Sequence, residues 1–281
     1  MLKTFLSAVI LSFLLAGCGQ NNVTEDDAFK QYFDAAGVAG TFGMFDNGQG
    51  NFTIYNLPRY RDSAYQPAAT FDIIQSLVAV QTGVLNNDSA LIEGFPGSRT
   101  DSMSAKISHI ITDSELCRAP MPLYKAFRWG CTNAFQGLAQ KIGKDTLKKW
   151  IDSMGYGNKD MTGDNFWQDN HLAVKADEQL GLMKKLYFDQ LPFFPRSQKV
   201  VRSMMLVENN SNYRLSYKTG TGVRRDGHDF AWFVGWVEEN KHPYFFVMNL
   251  DTADPGKDLN ASGLSILKGI LRKMGFFEGK K

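Results

Sequence analysis

Residues 213–250 read Tyr-Arg-Leu-Ser-Tyr-Lys-Thr-Gly-Thr-Gly-Val-Arg-Arg-Asp-Gly-His-Asp-Phe-Ala-Trp-Phe-Val-Gly-Trp-Val-Glu-Glu-Asn-Lys-His-Pro-Tyr-Phe-Phe-Val-Met-Asn-Leu. The aromatic and β-branched runs Tyr213–Lys218, Ala231–Glu238 and Tyr244–Leu250 predict three strands separated by turns. Near the other end, Gly40–Phe45 and Phe52–Tyr55 are two further short strands, and the Asn/Gly-rich Asp46–Gly50 between them reads as a hairpin turn. Helical spacing of apolar residues predicts helices over Asp26–Ala36, Thr70–Thr82 (ended by Gly83), Thr132–Ile142, Lys144–Met154, Asp177–Tyr187 and Leu264–Met274. Strands at both ends with helices between them imply one central antiparallel sheet. The expected fold is α/β of the α+β type, with terminal helices flanking the sheet and a helical lobe inserted. A cleft between lobes is a usual place for a ligand.

The chain has 281 residues, a formal net charge of +2, 21% charged and 43% hydrophobic residues, which is the balance of a globular protein. No Lys/Arg stripe interleaved with aromatics is present, so nucleic acid is not an expected partner. With only 4 histidines and 3 cysteines, and no Cys-x-x-Cys pair, neither a metal site nor a cofactor is expected.

The first residues read as an export signal. Lys3 supplies the positive start, Ala8–Leu15 is mostly apolar but too short for a permanent membrane span, and Leu15-Ala16-Gly17-Cys18 follows. Small residues directly before a cysteine resemble the bacterial lipobox, in which the chain is cut before the cysteine and the thiol is lipidated. The expectation is a signal peptide over 1–17, a lipid anchor at Cys18 and a polar, solvated tether over 18–27. The domain would then occupy 28–281. Gly19, rather than Asp, after the cysteine points to the outer membrane facing the periplasm. Cys117 and Cys131 remain; in an oxidising compartment they are either a bridge or two buried thiols.

The order of elements, with its motifs, resembles the penicillin-recognising serine enzymes, above all the class D (oxacillinase-type) β-lactamases and the related penicillin-sensor domains. Pro67-Ala68 opens the active-site helix and Gln81-Thr82-Gly83-Val84 closes it. Tyr156-Gly157-Asn158 matches the family's Tyr-Gly-Asn signature, and Phe166-Trp167 the aromatic pair of its Ω-like loop. Lys218-Thr219-Gly220 matches the Lys-Thr-Gly strand, and Ala231-Trp232-Phe233-Val234-Gly235-Trp236 the strand after it.

The departures fall on the chemistry. Residues 67–72 read Pro-Ala-Ala-Thr-Phe-Asp, where the family's pattern is Pro-Ala-Ser-Thr-Phe-Lys. The nucleophilic serine therefore falls on Ala69, and the lysine base, which class D enzymes carbamylate, on Asp72. Counting back from Tyr156, the second catalytic serine falls on Gly130, in Gly130-Cys131-Thr132; the alternative register at Ala119-Pro120-Met121 also lacks it. No arginine stands between Asp251 and Lys268, where the family often binds the substrate carboxylate, so Arg224 or Arg225 is the candidate substitute.

Acyl transfer needs a nucleophile near a base and donors for the oxyanion. By the resemblance those donors are the backbone N–H groups of Ala69 and Thr221, which substitution of side chains leaves in place. Lys218, Thr219, Gly220, Thr221, Trp167 and Arg224 are the candidate pocket residues. Asp72 is an anion that needs a cation if buried, and Lys218 is the expected partner. Trp167 is expected to pack near Asp72. Other nucleophiles fit poorly: the Thr70 side chain points about 100° away from its neighbour on a helix, Cys131 falls on the outward position of its motif, and Ser265-x-x-Lys268 lies in the last helix after every other motif. The expectation is a pseudoenzyme that binds β-lactams or peptidoglycan stem peptides without serine acylation. The alternatives are an active enzyme with a non-standard nucleophile, or a cell-envelope interaction protein with a closed cleft.

Overall fold

A computed structural model describes residues 22–93, 117 and 120–281. In chain order the elements are β1 (Val23–Glu25), a 3-10 turn (Asp27–Phe29), α1 (Lys30–Ala36), β2 (Ala39–Asp46), β3 (Asn51–Tyr55), α2 (Leu57–Asp62) and β4 (Ala64–Tyr65). A second 3-10 turn (Ala68–Phe71) then runs straight into α3 (Asp72–Gln81), followed by β5 (Leu91–Ile92). The middle of the chain supplies β6 (Met121–Pro122), α4 (Leu123–Trp129), α5 (Thr132–Ile142), α6 (Lys144–Met154), β7 (Val174–Lys175), α7 (Ala176–Tyr187) and α8 (Pro195–Met205). The last third gives β8 (Leu206–Asn209), β9 (Arg214–Val223), β10 (Asp229–Glu239), β11 (His242–Thr252) and α9 (Leu259–Lys273).

Among the described residues the main sheet has seven strands in the order β1-β3-β2-β11-β10-β9-β8. The two ends of the chain meet where β2 pairs antiparallel with β11, Phe42 opposite Met248. The central strands are apolar on both faces because both faces are covered. Along β10, Phe230, Trp232, Val234 and Trp236 belong to the core under the helical lobe, whereas Ala231, Phe233 and Val237 belong to the core under α1 and α9. This is the two-residue period of a pleated strand serving two layers.

The tether expectation changes at its C-terminal end. Val23–Glu25 form an edge strand parallel to β3, with Val23 opposite Phe52 and Glu25 opposite Ile54. The polar composition that suggested a solvated segment reflects an edge strand whose side chains are largely exposed while its backbone completes the sheet. The signal peptide, Cys18 and the earlier part of the tether lie outside the described residues.

Cys117 and Cys131 are joined by a disulfide with Cα atoms 5.5 Å apart. The bridge fixes the residue that follows Gly130, at the point where α4 ends and α5 begins.

Candidate active site

The segment that enters α3 is held from several sides. The indole Nε1 of Trp232 donates to the carbonyl of Gln66 at 3.0 Å. The Gln66 side chain donates to the carbonyl of Val223 at 2.9 Å and accepts from the Asn170 N–H at 2.9 Å. Next to it, the Ala68 N–H donates to the carbonyl of Trp167 at 2.9 Å, and Ala68 takes a left-handed φ of 49°, a conformation uncommon for a residue with a β-carbon. The chain is thus forced to turn sharply just before residue 69.

Ala69 is the one residue between Gln66 and Ala79 that is not buried. Its N–H has no acceptor among the described residues. Gly220 lies tight against this turn, since a β-carbon added there would sit 2.9 Å from the Ala69 nitrogen and 2.7 Å from that of Thr70. Only a glycine lets the Lys-Thr-Gly strand approach so closely. Gly130 closes the third side. It follows α4 in a left-handed conformation, φ 65°, and a β-carbon on it would lie 3.8 Å from the Ala69 β-carbon and 3.7 Å from Lys218 Nζ. The three separated segments therefore converge on one point; Ala119, where the alternative register of the second motif begins, lies outside the described residues.

Beneath that point Lys218 Nζ lies 2.9 Å from Asp72 Oδ2, with the two side chains 4% and 3% exposed. The contact is an ion pair by distance, although its angles are not those of a hydrogen bond, and Oδ2 has no hydrogen-bond partner. Burial raises the Asp72 carboxyl to about 6, with Lys218 pulling in the opposite direction; desolvation outweighs the attraction of the cation, as expected for a buried pair. Asp72 is also the first residue of α3, where the helix dipole favours negative charge. On its other side the Lys218 ammonium lies 5.1 Å from the ring centre of Phe127, a cation–π contact.

Trp167 stacks on Phe71 with ring centres 5.5 Å apart, so it packs against the residue adjoining Asp72. Its Nε1 is buried without a hydrogen-bond partner.

Among the described residues, the other nucleophiles considered from the sequence are engaged elsewhere. The Thr70 hydroxyl is fully buried, donates to the Pro67 carbonyl at 2.7 Å and accepts from Gln179 Nε2 at 2.8 Å. Cys131 is consumed in its disulfide. On α9, Ser265 is exposed and Lys268 pairs with Glu208 at 2.7 Å. Arg224 is not brought to the cluster: its guanidinium pairs with Asp251 and, at 2.7 Å, with Asp226, and lies 5.2 Å from the centre of the Tyr65 ring. Asp251 is a buried carboxylate that also holds Arg59 at 2.6 Å, so Arg224 helps satisfy a structural anion.

Sequence reasoning missed one feature of the neighbourhood. Among the described residues the outer edge of β9 beyond Ser216 has no strand partner, because β8 pairs only with Arg214–Ser216. There a cavity of about 370 Å³ opens beside Lys218 and Thr219, with Arg128, Trp129 and Asn260 among its walls. These residues come from α4, β9 and α9, and no spacing in the chain announces that they meet.

Comparison with known proteins agrees with this geometry. The family described as penicillin binding protein transpeptidase domain matches residues 40–274. Beta-lactamase OXA-20 of Pseudomonas aeruginosa is 32% identical over 278 residues, covering 97% of this chain and 96% of the relative. Beta-lactamase OXA-48 of Klebsiella pneumoniae is 32% identical over 230 residues, 81% of this chain and 80% of that one. Among solved structures, the class D β-lactamase FUS-1 (OXA-85) of Fusobacterium nucleatum subsp. polymorphum superposes with a TM-score of 0.79 at 26% identity, covering 92% of this chain and 100% of its own. The C-terminal domain of the Bacillus licheniformis BlaR penicillin-receptor does so with a TM-score of 0.78 at 26% identity, covering 92% and 98%.

Proposed function

The chain belongs to the class D β-lactamase family, and from that premise we propose that it is a non-acylating member, which binds β-lactams or peptidoglycan stem peptides reversibly. One observation carries the reading: the methyl of Ala69, the bare backbone of Gly130 and the Asp72–Lys218 ion pair occupy the point on which the three motifs converge. A methyl cannot attack a carbonyl carbon. Lys218 is already neutralised by Asp72, and Gly130 has no hydroxyl to relay a proton. What persists is the backbone N–H of the partly exposed Ala69, without an acceptor among the described residues, and such a donor can polarise a ligand carbonyl without any covalent step. Removing nucleophiles from serine hydrolases lowers turnover far more than binding. The resemblance to a penicillin-receptor domain as well as to hydrolases supports a role built on recognition.

Intact-protein mass after incubation with benzylpenicillin tests the covalent part. The expected result is no added mass, together with a rise in unfolding temperature as ligand exceeds its Kd; at a hundredfold excess the stabilisation is about 2.7 kcal/mol. A penicilloyl adduct on any residue overturns the reading. The proposal includes a lipid anchor at Cys18 and residence at the outer membrane facing the periplasm, supported by the Leu15-Ala16-Gly17-Cys18 run. Fatty-acid labelling that disappears in Cys18→Ala is the expected outcome.

A further inference from the structure

Asn22 is tied to the hairpin that joins β2 and β3. Its side-chain amide donates to the Gly50 carbonyl at 2.8 Å, and its own carbonyl accepts from the Phe52 N–H at 2.7 Å. Between Cys18 and Asn22 stand only Gly19, Gln20 and Asn21. The four residue steps from Cys18 to Asn22 span at most about 14 Å when fully extended. A lipid on Cys18 therefore keeps this hairpin within about 14 Å of the membrane surface.

Other turns gather at the same end of the sheet. The Gly48 N–H donates to His242 Nε2 at 2.9 Å, which sets the β10–β11 turn beside the first hairpin. The last residues of the chain join them: the Phe277 and Lys281 N–H groups donate to the buried Glu239 carboxylate, and Asn240 Nδ2 donates to the Lys281 carbonyl at 2.5 Å. The Glu239 charge is thus turned inward onto backbone donors, whereas Lys241 and Lys281 are exposed. Further along the β1 edge the exposed charges are carboxylates, Glu25 and Asp27. Over an anionic leaflet the lysines are attracted and the carboxylates repelled. The charge pattern therefore favours the hairpin end over the β1 edge as the face laid on the lipid.

We propose that the hairpin end of the main sheet, Gln49 and Gly50 with Lys241 and Lys281, rests on the anionic phospholipid surface that holds the anchor. The inference rests on the lipid anchor at Cys18 and is independent of what the Ala69 site binds. The domain then holds that site off the membrane. Gly220, which lies tight against the Ala69 nitrogen, pairs with Trp232, and β10 runs on from Trp232 to Glu239 at the hairpin end. At about 3.3 Å per residue, the site stands up to about 23 Å from the lipid-facing end.

Energy transfer on the full-length lipidated protein tests it, in vesicles of phosphatidylcholine and phosphatidylglycerol that carry an acceptor dye on some headgroups. The native cysteines are occupied, Cys117 and Cys131 by their bridge and Cys18 by the lipid, so a single introduced cysteine takes the donor dye. Gln49→Cys marks the hairpin end, and Ala253→Cys marks the exposed residue just past the far end of β11. The length of β11, His242–Thr252, puts these ends about 33 Å apart, so transfer from position 49 is expected to be about twofold stronger or more. Lys241→Glu combined with Lys281→Glu is expected to narrow that ratio, because the attraction to the headgroups becomes repulsion. Equal or reversed transfer in a protein that carries the lipid overturns this inference and leaves the anchor standing. An unchanged ratio in the charge-reversed protein overturns the contact with anionic headgroups. Absence of fatty-acid label at Cys18 overturns the anchor and this inference together, and leaves the reading of the Ala69 site untouched.

Discussion

Asp72 and Lys218 face each other across the junction of the helical lobe and the sheet, a carboxylate and an ammonium 2.9 Å apart in a space closed to solvent. The pair joins the first turn of α3 to the middle of β9, and a β-carbon on Gly130 would lie 3.7 Å from Lys218 Nζ and 3.8 Å from the Ala69 β-carbon.

Its first consequence is a dependence of stability on pH. The Asp72 carboxyl titrates at about 6 in the folded protein against 3.8 for an ordinary aspartate, because burial penalises its charge. The folded state therefore holds this proton more tightly than the unfolded chain does. Stability from this group is greatest below pH 3.8 and falls as pH rises through about 6. The shift corresponds to about 3 kcal/mol. Urea unfolding of the protein and of Asp72→Asn between pH 4 and 7 measures it: the difference between the two curves is expected to slope in this window and to flatten above it.

The second consequence concerns the pair as a unit. Lys218→Met alone leaves a buried carboxylate without its cation and is expected to destabilise the protein by about 3–5 kcal/mol at neutral pH. Asp72→Leu combined with Lys218→Met removes both charges and is expected to be neutral or stabilising by about 1–4 kcal/mol. A double-mutant cycle by chemical denaturation separates these outcomes.

Restoring activity is expected to need more than a nucleophile and a base. Ala69→Ser with Asp72→Lys brings a hydroxyl into the site but sets a second ammonium beside Lys218 in the same buried space, which disfavours charge on one of them. It also leaves Gly130 without a hydroxyl. Turnover of a chromogenic cephalosporin is expected to stay near background in this double variant and to rise when Gly130→Ser is added. Serine there must adopt the left-handed conformation of Gly130, a cost of about 1 kcal/mol.

Gly220→Ala would drive a β-carbon to within 2.7 Å of the Thr70 nitrogen and 2.9 Å of that of Ala69. The obstacle is backbone, so the strand and the turn must separate. The expected loss is about 1–3 kcal/mol or more, read by thermal unfolding, with a parallel loss of any ligand-induced stabilisation because the Ala69 N–H moves.

The Cys117–Cys131 bridge spans 14 residues. A loop of this length restrained in the unfolded chain contributes about 3 kcal/mol. Removing it by Cys117→Ser with Cys131→Ser is expected to lower stability by that order and to loosen the α4–α5 junction that carries Gly130.

Much of this was written in local sequence. The runs Ala231–Glu238 and Tyr244–Leu250 carry a strand signal strong enough to survive any context, and they form β10 and β11 with one or two residues added at each end. The predicted helices Thr132–Ile142 and Lys144–Met154 have the ends the pattern implied. Short elements were not legible. Leu57–Asp62 and Leu123–Trp129 hold too few residues to show a period, and Pro195–Met205 begins at a proline that reads equally well as a loop. Val23–Glu25 carries no signal of its own, and only its pairing with β3 makes it a strand.

The sequence by itself determined that positions 69, 72 and 130 carry alanine, aspartate and glycine, because residue identity is a property of the chain and needs no coordinates. It also determined the family frame, through motifs kept in order. Only the tertiary structure decided which charges meet: that Lys218 answers Asp72, and that Arg224 is bound to Asp251. The physical reason is distance. Residue identity and short-range periodicity are local, whereas the partner of a buried charge is set by the packing of elements far apart in the chain, and it is that partner that decides whether the charge is silent or free to hold a ligand.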